Sequence, residues 1–370
     1  MSTGFSLELR RFADLPGWEE DDPSELVPAL LRCRDHIRHR KPYKTGSLGI
    51  RADELLPAMD AAGGLKIDSA ADARRFFETY FVPFLIRKDD GNPGFVTAFY
   101  EPDVDVSAEP DDIWKYAFYR RPDDLVDIDD HNRPSSMPAG YAFGLLRDGQ
   151  ISEYPDRRDI DEGYLEGRGL EIAWARSKAD VFFAHVQGAA RLVFRDGTSQ
   201  RITYAAKAGH PFSGIGGRLI ELGEITRENM SMGAIREWLS RNPARADELY
   251  WHNRSYIFFR EEEMGDPQLG PVAAAKVQMT PGRSLAVDRS IHTFGCPFYI
   301  QSDSLTRVDS GKKFRRLMLA LDTGSAILGP ARGDIFTGSG PEAGDRAGSV
   351  RNDANFFILV PAAIAGRFAP

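Results

Sequence analysis

The segment from Leu317 to Gly344, LMLALDTGSAILGPARGDIFTGSGPEAG, constrains the chain more than any other. An apolar run, Leu317 to Leu321, delivers Asp322 into a loop of small residues, and that loop delivers Asp334 onto a second short apolar run, Ile335-Phe336. A continuous apolar run of this length bounded by Gly and Pro predicts a buried strand. If the two strands are neighbours, both carboxylates emerge near one end of a sheet. Glycines beside them let a polymer approach the backbone, so the pair reads as an acid/base site. The alternative is ordinary turn chemistry, since Asp is common at strand ends.

The rest of the chain predicts a mainly β body with flanking helices. Its 370 residues suffice for two domains, or one with an insertion, and 35 glycines and 23 prolines favour short strands and tight turns. Apolar spacing predicts helices over 21–38, 51–62 and from an N-cap at Ser69 through Tyr80, with two more around Ile215–Gly223 and after Ser231. GFVTAFYEP, from Gly94, reads as a strand in which Thr97 faces opposite to Val96 and Tyr100. Residues 103–162 turn acidic, Pro-rich and irregular, which marks a domain boundary. Val181 to Ala206 reads as a strand cluster with a hairpin turn at Asp196-Gly197, and strands return at Ser255–Glu261, Ser284–Asp288, Pro297–Ile300 and Phe356–Val360.

Several function classes are unsupported. A net charge of −8 without a basic stripe argues against nucleic acid. Cys33 and Cys296 have no metal spacing and no disulfide framework, and Cys33 falls on an apolar helix face. No segment approaches the ~20 apolar residues of a membrane span. The opening MSTGFSLELRRF has neither the core of a signal peptide nor a lipoprotein cysteine, so export would imply a signal removed from this chain. There is no G-x-S-x-G elbow, no H-E-x-x-H, no Walker loop and no G-x-G-x-x-G after a strand. Asp322-Thr323-Gly324-Ser325 matches the aspartic-peptidase signature, but that chemistry needs two such aspartates sharing a proton, and Asp334 and Asp288 are followed by Ile335 and Arg289. His210, between Gly209 and Pro211, reads as a turn histidine or a ligand contact.

Several long stretches then coincide with one family. LDTGSAILGPARGDIFTGSGPEAGDRAG, PGRSLAVDRS, HVQGAARLVFRDG, YAAKAGHPFSGIGGRLIELGEI, MSMGAIREWL, GFVTAFYEP and RFADLPGWEEDD all resemble the lytic murein transglycosylase A family, over about Phe12 to Val360. The resemblance implies a double-psi β-barrel domain built from residues 1–102 and 267–370, a smaller β-barrel inserted over 103–266, and a substrate groove between them. It implies cleavage of the β-1,4 bond between N-acetylmuramic acid and N-acetylglucosamine in peptidoglycan, leaving a 1,6-anhydro end. Its partners would be glycan strands and other cell-wall enzymes, its state a monomer without metal or cofactor, and its place the periplasm in association with the outer membrane. Asp334 matches the family's single acid/base, and Asp322 and Asp288 match the other two aspartates of its "3D" domain. Thr97, Tyr100, Gln187, Gly188, Lys207 and His210 fall in segments expected to line the groove. Since a free Asp near pKa 3.9 is ionised at neutral pH, Asp334 needs burial near Ile335 and Phe336, or repulsion from Asp322, to hold a proton. Two departures stand out: Ala189-Ala190 where the family usually reads Ser-Gly, and Leu328 where it commonly has Lys. A hydrolase or a non-catalytic glycan-binding protein on the same fold would share most of these residues.

Overall fold

In chain order, β1 (Phe5–Leu9) is followed by helices α1 (Leu26–His39), α2 (Ala52–Gly64) and α3 (Ala70–Tyr80), then by β2 (Phe81–Lys88) and β3 (Gly94–Glu101). There follow β4 (Asp103–Ser107), β5 (Tyr116–Tyr119), β6 (Leu125–Asp127), β7 (Phe143–Arg147), β8 (Gln150–Ser152), β9 (Glu171–Ala175), β10 (Ala189–Phe194), β11 (Ser199–Lys207) and β12 (Ile257–Glu262). The chain closes with β13 (Ser284–Val287), β14 (Pro297–Ser302), β15 (Phe314–Asp322), β16 (Arg332–Ser339) and β17 (Arg351–Pro361). This computed structural model describes residues 4–369; the first three residues, which the leader reading includes, lie outside the described residues. Two compact units result, one of Met1–Tyr100 with Asp266–Pro370 and one of Glu101–Gly265.

In the first unit β3, β17, β14, β15, β13 and β16 bond in that order, and β16 returns to β3, so six strands form a closed ring. β17 makes closure possible by its length. Its first residues, Arg351–Ala354, pair with β3, and its last, Phe357–Pro361, pair with β2, which carries β1 outward. Leu317 to Leu321 are all fully buried, because one face of β15 lines the ring and the other is covered. Gly94 sits where β3 passes closest to its neighbours: a Cβ there would lie 2.7 Å from the Ala331 carbonyl and 2.8 Å from that of Ala354. A buried ion pair ties the N-terminal segment to this ring. Asp21 meets Arg283 at 2.9 Å and also accepts the Leu317 N–H at 2.7 Å.

The second unit is a sheet ordered β12-β11-β10-β4-β9-β5, with a bridge from Arg120 to Phe259 joining its two ends, plus a separate β6-β7-β8 sheet. The expected hairpin at Asp196-Gly197 is present: Gly197 takes φ +85° and Asp196 accepts from the Thr198 N–H at 2.9 Å. Two expectations fail here. Residues 103–162 hold β4 to β8, and the start of the expected strand cluster, Val181 to Gln187, belongs to a helix, Lys178–Gln187. Its residues Val181 to His185 are all buried, and a helix buried nearly all round gives the same unbroken apolar run as a buried strand. Gly188, left-handed at φ +77°, stops it. The helix Pro243–His252 carries no clear apolar stripe and went unread.

Where the chain enters and leaves this unit, Glu101 and Arg201 form a fully buried bidentate pair at 2.5 and 2.9 Å, and Arg201 also holds the Met264 carbonyl at 2.9 Å. Removing one partner strands the other charge without water. Glu101→Gln is expected to lower unfolding free energy by about 3–5 kcal/mol, and the double change Glu101→Leu with Arg201→Met by much less, in urea titrations of the full chain.

Candidate active site

The two aspartates of the opening motif meet at β13. Ala286 is the register partner of Asp334 on antiparallel β16 and of Asp322 on parallel β15. A bulge makes this so: Leu285 pairs with Ala320, and Ala286 then pairs with Asp322, passing over Leu321. Without that slip Leu321 would occupy the position and Asp322 would point elsewhere. Partners in register share a face, so the carboxylates flank the Ala286 methyl from strands whose Cα atoms lie about 10 Å apart at the usual spacing. Both side chains are partly exposed.

Their surroundings differ. Asp322 accepts from the Ala274 N–H at 3.0 Å and has Lys276 nearby. Burial first, and then the charge of Asp334, push it up to about 6, against the pull of the Ala274 and Thr323 N–H groups and Lys276. Asp334 accepts a short hydrogen bond from the Thr97 hydroxyl, and Thr97 in turn accepts from Arg332 at 2.7 Å. Burial raises Asp334 above the ordinary carboxylate range, while Thr97 and Arg332 restrain the rise. Burial, the first of the two expected causes, acts on both carboxyls, and the charge of Asp334 adds to the rise at Asp322. No carboxyl–carboxyl hydrogen bond joins them among the described residues, which sets the pair apart from a peptidase dyad.

Asp288 has a different task. Buried at 7% exposure, it accepts from the Ser290 N–H and hydroxyl at 3.0 and 2.6 Å and from the Gly329 N–H at 2.7 Å. It thus anchors the loop joining β15 to β16. His292 holds the same loop through the Pro330 carbonyl at 2.8 Å, and burial lowers its pKa to about 4, so it is neutral. Nothing in the sequence around His292 marks it, since neither neighbour signals a site. Leu328, on that loop, is 69% exposed.

The remaining expected residues divide. Thr97 belongs to the aspartate cluster, as above. Tyr100 and His210 are buried. Tyr100 is buried with its ring under Gly344, where a Cβ would approach to 2.8 Å. His210 is 1% exposed, with one ring nitrogen 3.2 Å from the Tyr141 hydroxyl and the other 2.6 Å from the Tyr154 carbonyl, so both polar atoms are occupied internally. In the second unit Gln187 and Gly188 end a helix, partly exposed, and the Gly188 carbonyl accepts from the Tyr204 N–H at 2.8 Å. Lys207, half-buried at the end of β11, has its pKa lowered by burial and has no ion-pair partner among the described residues. Ala190 is fully buried opposite Ile202. Arg332 was missed, since in sequence it reads as a loop residue; its place two positions before Asp334 puts both on one face of a strand.

A family model described as the MltA specific insert domain matches residues 95–260, and one described as the 3D domain matches residues 283–360. The crystal structure of a membrane-bound lytic murein transglycosylase from Agrobacterium tumefaciens superposes with a TM-score of 0.93 at 58% identity, covering 98% of this chain and 99% of that one. The chain belongs to the lytic murein transglycosylase A family. The family's structure from Neisseria gonorrhoeae gives a TM-score of 0.78 at 27% identity over 98% of this chain and 94% of that one. Membrane-bound lytic murein transglycosylase A of Escherichia coli (strain K12) is 37% identical over 220 residues; the match covers 57% of this chain and 58% of that protein. Asp288, Asp322 and Asp334 lie in the 3D match, and Thr97 and Tyr100 lie in the insert match although they pack in the first unit. The two-unit, mainly β fold of the family is the fold observed. No helix of the described residues is long and apolar enough to cross a membrane.

The raised Asp322 has a consequence for stability. Its folded pKa of about 6 lies above the ordinary 3.8, so the native state holds this proton more tightly and loses stability as pH rises from about 4 through about 6. Asp322→Asn keeps an oxygen for Ala274 and removes the charge. It is expected to stabilise the protein by about 3 kcal/mol at pH 8 and by nothing near pH 3, measured as paired denaturation curves.

Proposed function

We propose that this protein is a lytic transglycosylase. It cleaves the β-1,4 bond between N-acetylmuramic acid and N-acetylglucosamine in peptidoglycan and forms 1,6-anhydro-N-acetylmuramic acid, with Asp334 as general acid and then base. The observation that carries the reading is a carboxyl raised by burial, on a strand end, in a chain of this family. Asp334 gives its proton to the leaving glycosidic oxygen as the C1–O bond breaks. The muramoyl C6 hydroxyl then closes on C1, and its proton passes to the Asp334 carboxylate, which returns to its starting form. No water is consumed and no second carboxylate is needed as nucleophile. Asp322 acts as the electrostatic neighbour, and Asp288 holds the loop.

The catalytic domain is then residues 1–102 with 267–370, and 103–266 the insert, with Thr97, Gln187, Gly188 and Lys207 as substrate contacts. The protein acts alone or beside other cell-wall enzymes in the periplasm, associated with the outer membrane. The membrane-bound names of its relatives support that location.

Mass spectrometry of muropeptides released from purified peptidoglycan tests the reading. Wild type is expected to give products one water lighter than hydrolysis gives, and Asp334→Ala none. Reducing-end products carrying added water would replace the mechanism with hydrolysis. Binding without release by wild type would make the protein a glycan-binding module.

A further inference from the structure

We propose that Arg332 is a positioning residue which, through Thr97, keeps the acid proton of Asp334 on the carboxyl oxygen turned away from Thr97. This rests on the reading of Asp334 as the acid. Donors and acceptors around Thr97 fix the direction of each bond. A guanidinium only donates, so the Thr97 oxygen accepts from Arg332 Nη2 at 2.7 Å. The single Thr97 hydroxyl proton then has one acceptor within reach among the described residues, Asp334 Oδ1. Turning the hydroxyl round to receive a proton from Oδ1 would leave its own proton without a partner. Oδ1 is therefore held as an acceptor in both charge states, and in the acid form the proton sits on Oδ2.

Arg332 is itself fixed for this task. Its Nη1 donates to the Gly333 carbonyl, and its guanidinium lies 5.5 Å from the Phe95 ring centroid. It makes no ion pair with any carboxylate among the described residues, so its charge is not neutralised by a neighbour of its own. The charged groups around Asp334 are Arg332 on its own strand, Asp322 across β13, with Lys276 beyond it, and the exposed Arg351, which pairs in register with Thr97 on β17. Among the described residues, only Arg332 reaches Asp334 through a hydrogen-bonded intermediary.

The test is the pH–rate profile of muropeptide release for Arg332→Met, Arg332→Lys, Thr97→Val and the Arg332→Met/Thr97→Val pair, with glycan affinity and melting temperature measured beside it. Arg332→Met is expected to lower kcat about tenfold or more with affinity unchanged. It is also expected to move the alkaline limb to higher pH, since a cation that favours the carboxylate is gone. Arg332→Lys, which still donates to Thr97, recovers most of the rate. In the Thr97→Val background the loss of Arg332 costs less than about twofold, because the path between them is already cut. Equal losses in both backgrounds, or an unmoved limb, overturn the relay. If Arg332→Met melts early, the Lys variant and its double with Thr97→Val decide the same question. An Asp334→Asn variant that still releases muropeptides sinks the acid assignment itself; a dead Asp334→Asn beside a fully active Arg332→Met sinks only the relay.

Discussion

Everything at the candidate site depends on how the ring is closed at β13. That strand is only four residues long, Ser284–Val287, and all four are buried. It is paired parallel on one side and antiparallel on the other, so its register fixes two strands at once. A one-residue slip on either side would turn an aspartate from one face of the sheet to the other. The bulge beside Leu285 is therefore a positional device. It inserts Leu321 into the packed interior and leaves Asp322 opposite Ala286. Ala286 contributes by being small, since a larger residue there would fill the space between the two carboxylates. Gly333, just before Asp334, permits the same closeness from the other side: a Cβ on it would lie 2.9 Å from both Leu285 and Phe356.

Carboxylates in this molecule are withdrawn from water and compensated to different degrees. Glu101 is fully buried but meets both arms of Arg201, so each charge has a partner. Asp21 meets Arg283 and a backbone N–H, yet burial still raises its pKa, which shows how much compensation a buried charge requires. Asp322 and Asp334 are given less: backbone donors and a nearby lysine for one, a hydroxyl and an arginine held one atom away for the other. Acid chemistry needs carboxyls that can hold a proton near neutral pH. Under-compensated ones can, at a cost in stability that the packed ring around them offsets.

How far the sequence revealed this follows from which interactions are local. The apolar run before Asp322, the Gly-rich loop and the second run at Asp334 are consecutive, so their strands were legible. The hairpin at Asp196-Gly197 was legible for the same reason. The bulge at Ala286 was not, because it is a property of two strands and leaves no mark on either. Tyr100 and His210 stood in strand and turn contexts that suit exposed and buried aromatics equally; what decides is Gly344 over one and Tyr141 with Tyr154 around the other, far away in the chain. Arg332 was invisible as a partner because Thr97 lies on β3, on the far side of the inserted unit. The motif disclosed the two aspartates, while Thr97, which bonds Asp334, comes from a distant segment.

A single carboxyl that acts first as acid and then as base must favour neither form strongly. Burial alone would keep Asp334 protonated but make it a weaker acid, slow to give its proton up and quick to recover one. Pairing alone would hold it as a carboxylate with nothing to give. In this ring the two influences oppose each other on one group: desolvation raises the proton affinity, and the Thr97 hydroxyl with Arg332 behind it lowers it. Thr97 is well suited to stand between them. A direct Arg332–Asp334 contact would be an ion pair in low dielectric, strong enough to lock the carboxylate form. One hydroxyl between them passes on direction and a fraction of the charge, and it leaves Oδ2 open. On the proposed reading, the separation of Arg332 from Asp334 by one side chain would let this aspartate work in both directions.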